Sequence, residues 1–301
     1  QTLAAARQDA LAARLETLPE PAGGAWIAEA RAAAMARLDG MGLPHRRDEY
    51  WKFTDPATLN AAAPKPAALF DAQAADAFAE LDRVMLVFVD GVFDAEASDP
   101  PELAGVEIER LESAAAADIH WARDIYGVLE ARGQSPVARP HAALNTARAG
   151  DGVLIRVTGR AAKPVHLKYL HKSENSDAML HHCIRLEPGA DLTVLENGPA
   201  AARFNKVMEV EVADGAAFHH VRAEGCDHER RAVTHIFARL GEASVFKSFT
   251  LTANGVLTRN EAVVEFTGPR GVAHIAGAAL GHGYFHHDDT LPVTHDREAA
   301  D

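Results

Sequence analysis

The stretch Pro188-Gly189-Ala190-Asp191-Leu192 returns as Asp214-Gly215-Ala216-Ala217-Phe218, then as Leu240-Gly241-Glu242-Ala243-Ser244 and Arg270-Gly271-Val272-Ala273-His274. Each copy is a turn that opens an apolar β-type run, and their glycines lie 26, 26 and 30 residues apart. Glycine suits such corners because it reaches positive φ without a Cβ clash. Between the corners lie second runs, Lys206–Val212, Ala232–Arg239 and Glu261–Phe266. A unit of two short strands repeated every 26–30 residues describes a solenoid, whose stacked units bury one continuous core. A β-sandwich also spaces short strands between turns; the glycine period favours the solenoid.

Working outward, the β-type runs extend from Asp151 to Val293. Upstream the pattern is mixed. Leu3, Arg7, Leu11, Leu15 and Leu18 fall near helical spacing, and Trp26 to Leu38 repeats it until Gly40 and Gly42-Leu43-Pro44 intervene. A Pro/Ala-rich stretch from Ala61 to Ala68 reads as a linker. Val84–Val89, Asp90-Gly91 and Val92-Phe93 predict a tight hairpin. Glu112 to Arg132 predicts a further helix. The division expected is a helical and mixed region over 1–145 and a β core over 146–301.

Composition excludes several function classes. The net charge of −13 opposes binding to a phosphate backbone, which needs a basic face, and suits a basic protein partner instead. No apolar run is long enough to span a membrane as a helix. Gln1 to Arg14 lacks the apolar centre of a secretory signal, and the absence of an initial Met suggests a trimmed N-terminus. Two cysteines, Cys183 and Cys226, are too few for a disulfide framework and fit a reducing compartment, so a cytoplasmic location is expected. No phosphate loop, nucleophile elbow or His-Glu-x-x-His zinc motif occurs. No catalytic and no cofactor-binding residue is therefore assigned.

The candidates for metal ligation are His286, Asp288 and His295 near the end of the chain, and Cys183 and Cys226 within the repeats. Neutral imidazole, thiolate and carboxylate are common ligands. On an extended strand His286 and Asp288 point to one side, and His181 shares a face with Cys183. The competing reading makes the histidines a hydrogen-bonded strand face, Cys183 a core residue and Cys226 a loop residue. Tyr50-Trp51-Lys52-Phe53 is either a binding patch or a helix packing its rings on the β core, and the second reading is favoured.

An ordered set of segments resembles the SufD branch of the SufB/SufD family of iron–sulfur cluster assembly scaffolds. It comprises Gly42-Leu43-Pro44 with Tyr50-Trp51-Lys52-Phe53-Thr54-Asp55, Leu86–Phe93 around Asp90-Gly91, and Leu144-Asn145-Thr146-Ala147 with Asp151-Gly152-Val153-Leu154-Ile155. Thr258-Arg259-Asn260-Glu261, Gly268, Gly277, Asp288-Asp289 and His295 complete it. The resemblance implies a right-handed parallel β-helix core behind an N-terminal helical region. It also implies a non-catalytic subunit that pairs with SufB and with the ATPase SufC, holds no tightly bound cofactor, and shares a transient Fe–S cluster at the SufB interface. The family continues beyond the point where this chain stops, so a C-terminally shortened member is expected, with the SufC-docking part missing and the last coil prone to aggregate. A β-helix carbohydrate-active enzyme and an accessory protein for another metallocentre remain the alternatives.

Overall fold

The computed structural model describes residues 2–69, 76–224 and 229–295. Three strands precede the repeats: β1 (Val84–Val89), β2 (Val92–Asp94) and β3 (Glu107–Arg110). The repeats supply β4 (Val153–Val157), β5 (Val165–Leu170), β6 (Asp177–Leu186), β7 (Asp191–Asn197), β8 (Arg203–Val212) and β9 (Ala217–Glu224). They continue as β10 (Arg231–Leu240), β11 (Val245–Ala253), β12 (Leu257–Phe266), β13 (Val272–Leu280), β14 (His287–Thr290) and β15 (Val293–His295). One sheet runs β13-β11-β9-β7-β5-β1-β2 and the other β14-β12-β10-β8-β6-β4-β3, with β15 beside β12. Successive strands of the repeat thus alternate between two sheets, and the repeat strands within each sheet are parallel. This is the expected β-helix, a two-sheeted solenoid of about five turns.

Register makes the core. Inward side chains stack in rows from coil to coil, such as Ile184, Val210, Ala238 and Val264 on one sheet and Leu192, Phe218, Phe246 and Ala273 on the other. The Phe218 and Phe246 rings stack at 5.5 Å. Antiparallel β2 and β3 close the first end of the stack. The β1–β2 hairpin turns on Asp90 and Gly91, both at positive φ (49° and 85°), as the Asp-Gly pair predicts.

At the corners the left-handed residues are Gly189, Gly215, Ala243 and Arg270, recurring after 26, 28 and 27 residues. The strand register equates these four. Gly241 and Gly271 are therefore not the corner residues that the glycine spacing suggests, and the true period is the more regular one.

Helices cover one sheet. α1 (Leu3–Leu15), α2 (Ala25–Met41), α3 (Ala57–Asn60), α4 (Leu111–Ala114), α5 (Val128–Arg132) and α6 (Pro140–Arg148) all precede β4. Trp26, Ile125, Tyr126 and Leu129 pack on Leu154, Cys183, Val207 and Phe237, which point outward from the even-numbered strands. Asn145 Nδ2 donates to the Leu180 and Asn205 carbonyls at 3.1 and 3.0 Å, pinning α6 to β6 and β8. Buried on both faces, β8 and β10 are almost wholly inaccessible, whereas β9 alternates buried and half-buried residues.

The single helix predicted over Glu112–Arg132 is instead broken into α4, a 3-10 turn at Trp121–Asp124 and α5. Gly127 at φ 71° interrupts it, and Glu209 of β8 takes the Gly127 and Glu130 amides that a continuous helix would use internally. The Ala61–Ala68 stretch is not a free linker. Ala67 is buried and donates to the Glu174 carbonyl, and Arg203 binds the carbonyls of Thr58, Leu59, Ala61 and Ala62.

Candidate functional site

Inside the solenoid the apolar rows give way, toward one side, to a polar seam. Glu196 on β7 has the same parity as Leu192 and Val194, and Lys206 on β8 the same parity as Phe204 and Met208, so both point inward. Lys206 Nζ lies 2.6 and 2.5 Å from the two Glu196 oxygens. His220 Nε2 is 2.7 Å from Oε1, and the Tyr169 hydroxyl donates to Oε2 at 2.7 Å. His182 extends the chain: its Nδ1 accepts from the Val153 amide at 3.0 Å, which leaves Nε2–H to donate to the Tyr169 hydroxyl at 3.0 Å. On the other side His220 Nδ1 meets the Ser248 hydroxyl at 2.8 Å. The next layer joins Arg222 to Thr234 and Asn260, and Glu224 to Thr252.

Glu196, Lys206, His182 and His220 are all fully or almost fully buried. Burial alone would raise the Glu196 carboxyl, but Lys206 and His220 outweigh it and hold the group well below the usual range. Burial lowers Lys206 to about 8 against the attraction of Glu196, and lowers His182 to about 3. Burial, then Glu196, raises Tyr169 well above its ordinary value. The seam is a closed set of donors and acceptors that can share protons but whose members occupy one another. Sequence reading missed it because the seam's residues are spread over several strands, beside other polar residues that point outward. The available signal is parity: a lysine or glutamate in step with inward-facing residues.

The last coil holds a second cluster. Arg259 donates to Glu261 at 2.9 Å and also pairs with Asp288, while its guanidinium lies 4.1 Å over Trp51 and 4.8 Å over Tyr50. Arg139 reaches the other Glu261 oxygen at 2.7 Å, and the Tyr50 hydroxyl donates to it at 3.1 Å. Trp51 is buried against Leu257 and Val233, while Phe53 is 81% exposed. The aromatic segment thus packs on the β core, as a short 3-10 turn at Glu49–Trp51.

His286 and Asp288 converge as their spacing predicts, both on the Thr54 hydroxyl. His295 does not join them. It stacks on Phe266 at 4.8 Å, seven residues along β12 from the Arg259 that faces Asp288, or roughly 23 Å at a strand's rise. Cys226 lies outside the described residues. Cys183 is buried under α5, beside His181 and Glu209. Of the described candidates, His286 and Asp288 thus meet while His295 and Cys183 lie elsewhere, and Asp288 is already engaged by Arg259.

Two family profiles match in tandem: one described as SufBD protein N-terminal region over residues 20–166, the other as SUF system FeS cluster assembly, SufBD core domain, over 169–301. Among curated proteins, the iron-sulfur cluster assembly protein SufD of Escherichia coli (strain K12) is 26% identical over 253 residues, covering 79% of this chain and 56% of that protein. The chain spans about half the length of that curated relative.

Proposed function

Since this chain belongs to the SufBD family of iron–sulfur cluster assembly proteins, we propose that it acts as a SufD-type scaffold subunit, in the cytoplasm, pairing with SufB and performing no catalysis alone. The observation that carries this reading is that its charged clusters are closed. Glu196 is satisfied by Lys206, His220 and Tyr169, and Glu261 by Arg139, Arg259 and Tyr50. Neither presents a free nucleophile or base to solvent, so the molecule offers shape and surface. No helix among the described residues is long and apolar enough to cross a membrane.

The surface proposed for SufB is the last coil. Among the described residues β13 has a strand on one side only, and Leu280, Tyr284, Phe285, Leu291 and Val293 are exposed there. A parallel strand with free backbone groups is a template for another strand, and a second solenoid of the same family supplies one. In this proposal the nascent cluster is cargo at the junction. SufC is proposed to engage through parts beyond these residues.

Co-expression of this chain with SufB and SufC, followed by size exclusion, tests the proposal. Co-elution with SufB, reduced by Leu280→Lys, is expected. Absence of any SufB association overturns it, and SufC binding without SufB overturns the assignment of surfaces.

A further inference from the structure

We infer that His181, Cys183 and Glu209 form a buried site for one divalent transition-metal ion, best suited to zinc, that fastens the helical cover to the solenoid. This resident ion is distinct from any cluster cargo and does not depend on the pairing with SufB.

The donor set follows from the strand. His181 and Cys183 are two apart on β6 and share its outward face. Glu209 on β8 is the register partner of Cys183. His181 Nε2, Cys183 Sγ and a Glu209 oxygen all lie within 4.8 Å of one another. Ligands about a tetrahedral zinc stand about 3.3–3.8 Å apart, given bonds of about 2.0–2.3 Å. Rotamer adjustments of about 1 Å therefore close the site, with the fourth position left for water.

Charge is the second, independent observation. Glu209 is fully buried, and among the described residues its only ion-pair partner is His181, at 2.6 Å. No lysine or arginine reaches it, in contrast to Glu196 and Glu261. Buried carboxylates are normally paired or coordinate metals. A dication compensates this carboxylate together with a Cys183 thiolate. Burial, then Glu209, pushes the free Cys183 thiol well above its ordinary range.

Part of the supporting shell is present, on Glu209 and on the His181 ring face, while His181 Nδ1 is buried without a hydrogen-bond partner. Glu209 is oriented by the Gly127 and Glu130 amides at 2.6 and 2.9 Å, and the Tyr126 ring stacks on His181 at 4.1 Å. Partners of this kind fix ligand geometry. Loading is a simple exchange. The Cys183 thiol proton is released as the S–metal bond forms, and the His181 proton moves from Nε2 to Nδ1 to free the ligating lone pair. No oxidant or reductant enters. All three side chains are inaccessible, so the ion enters as the cover closes on the sheet, coupling binding to folding.

The test uses the full chain carrying Cys226→Ala, which leaves Cys183 the sole thiol. Refolding with equimolar zinc should retain about one ion per chain after desalting. Refolding with cobalt should give a thiolate-to-cobalt charge-transfer band in the near ultraviolet. Adding Cys183→Ala should abolish the band and the retained ion, and Glu209→Gln should lower affinity at least about tenfold. If Cys183→Ala fails to fold, the parent is instead titrated with denaturant and a thiol reagent, with zinc or with chelator. Zinc should then shift Cys183 labelling to higher denaturant. Absence of a retained ion, retention undiminished by Cys183→Ala, or labelling indifferent to zinc would each overturn the site.

Discussion

Replacing Lys206 with methionine removes the cation from the centre of the solenoid while nearly keeping its volume. Wild-type Lys206 gives Glu196 two charge-assisted contacts, at 2.6 and 2.5 Å, in a site with no exposure. Removing one partner of a buried pair costs about 3–5 kcal/mol, because the other charge stays buried. The cost should depend on pH. Burial is the main influence lowering His220, and Lys206 adds to it; without Lys206 the ring takes a proton more readily beside Glu196. A His220 whose pKa rises in the folded variant supplies stability at low pH that disappears as pH increases. The loss should therefore approach 5 kcal/mol near pH 7, where Lys206, lowered to about 8, is still charged, and shrink toward about 3 kcal/mol near pH 6. Urea unfolding followed by circular dichroism at both pH values measures it. Adding Glu196→Gln should recover at least about 2 kcal/mol, since both charges are then absent. A cost under about 1 kcal/mol at pH 7, or no recovery in the double variant, refutes a closed buried seam.

Acid should destabilise the fold through its buried histidines. Burial depresses His182 to about 3 and His235 to about 4 from 6.5, so the stability of their neutral forms is complete above pH 6.5. It is lost as pH falls, reaching roughly 3 kcal/mol for His235 at pH 4. His235→Gln should flatten the unfolding free energy between pH 6.5 and 4. At the corners, Gly189→Ala should cost about 1 kcal/mol although nothing lies within 4 Å of an added Cβ, whereas Ala243→Gly should gain up to about 1 kcal/mol. Opposite signs in paired thermal melts check the alignment of those two positions. Arg203→Ala should release residues 58–62 and leave Asp177 to Arg14 alone, costing about 2 kcal/mol and admitting protease there first. Limited proteolysis with the cut site mapped by mass spectrometry reads the outcome.

The solenoid was legible because its corners and strands are local features repeated in order: Pro188-Gly189-Ala190 and Asp214-Gly215-Ala216 announce the turn by composition alone. The register was less legible at the later corners. Ala243 and Arg270 adopt positive φ without being glycine, held by the stacked coil through bonds such as the Ala243 amide to the Pro269 carbonyl at 2.9 Å. A nearby glycine then misleads, since neighbouring coils rather than the residue decide the conformation. The Glu112–Arg132 helix failed for a related reason. Its apolar spacing is helical, but its amides are claimed by Glu209, a residue 79 positions from Glu130 that no local window contains. His181 sharing a face with Cys183 could be read from parity; that Glu209 lies beside them could not, because it depends on the pairing of β6 with β8.

The covering of one sheet constrains where partners can act. On the even strands from β4 to β12 the apolar outward side chains lie under helices or segments from the first 148 residues, and the outward row that stays part-exposed, Arg156, Arg185, Glu211, Arg239 and Glu265, is charged and engaged in ion pairs. The odd strands keep an open face, with Lys247 exposed and Phe249 41% exposed on β11. An apolar interaction that leaves this fold intact therefore has the odd face or the ends of the stack to use. The odd face mixes charged and apolar side chains one by one, as surfaces usually do. On the last coil the exposed Leu280, Tyr284, Phe285, Leu291 and Val293 fall close together in sequence, beside backbone groups of β13 that have no neighbour among the described residues. Apolar contact and strand pairing coincide there over several side chains, whereas the opposite edge strand, β2, exposes Val92 alone. A substitution on the odd face, such as Phe249→Ser, should consequently leave SufB co-elution unchanged while Leu280→Lys reduces it; the reverse result would move the partner to the sheet face.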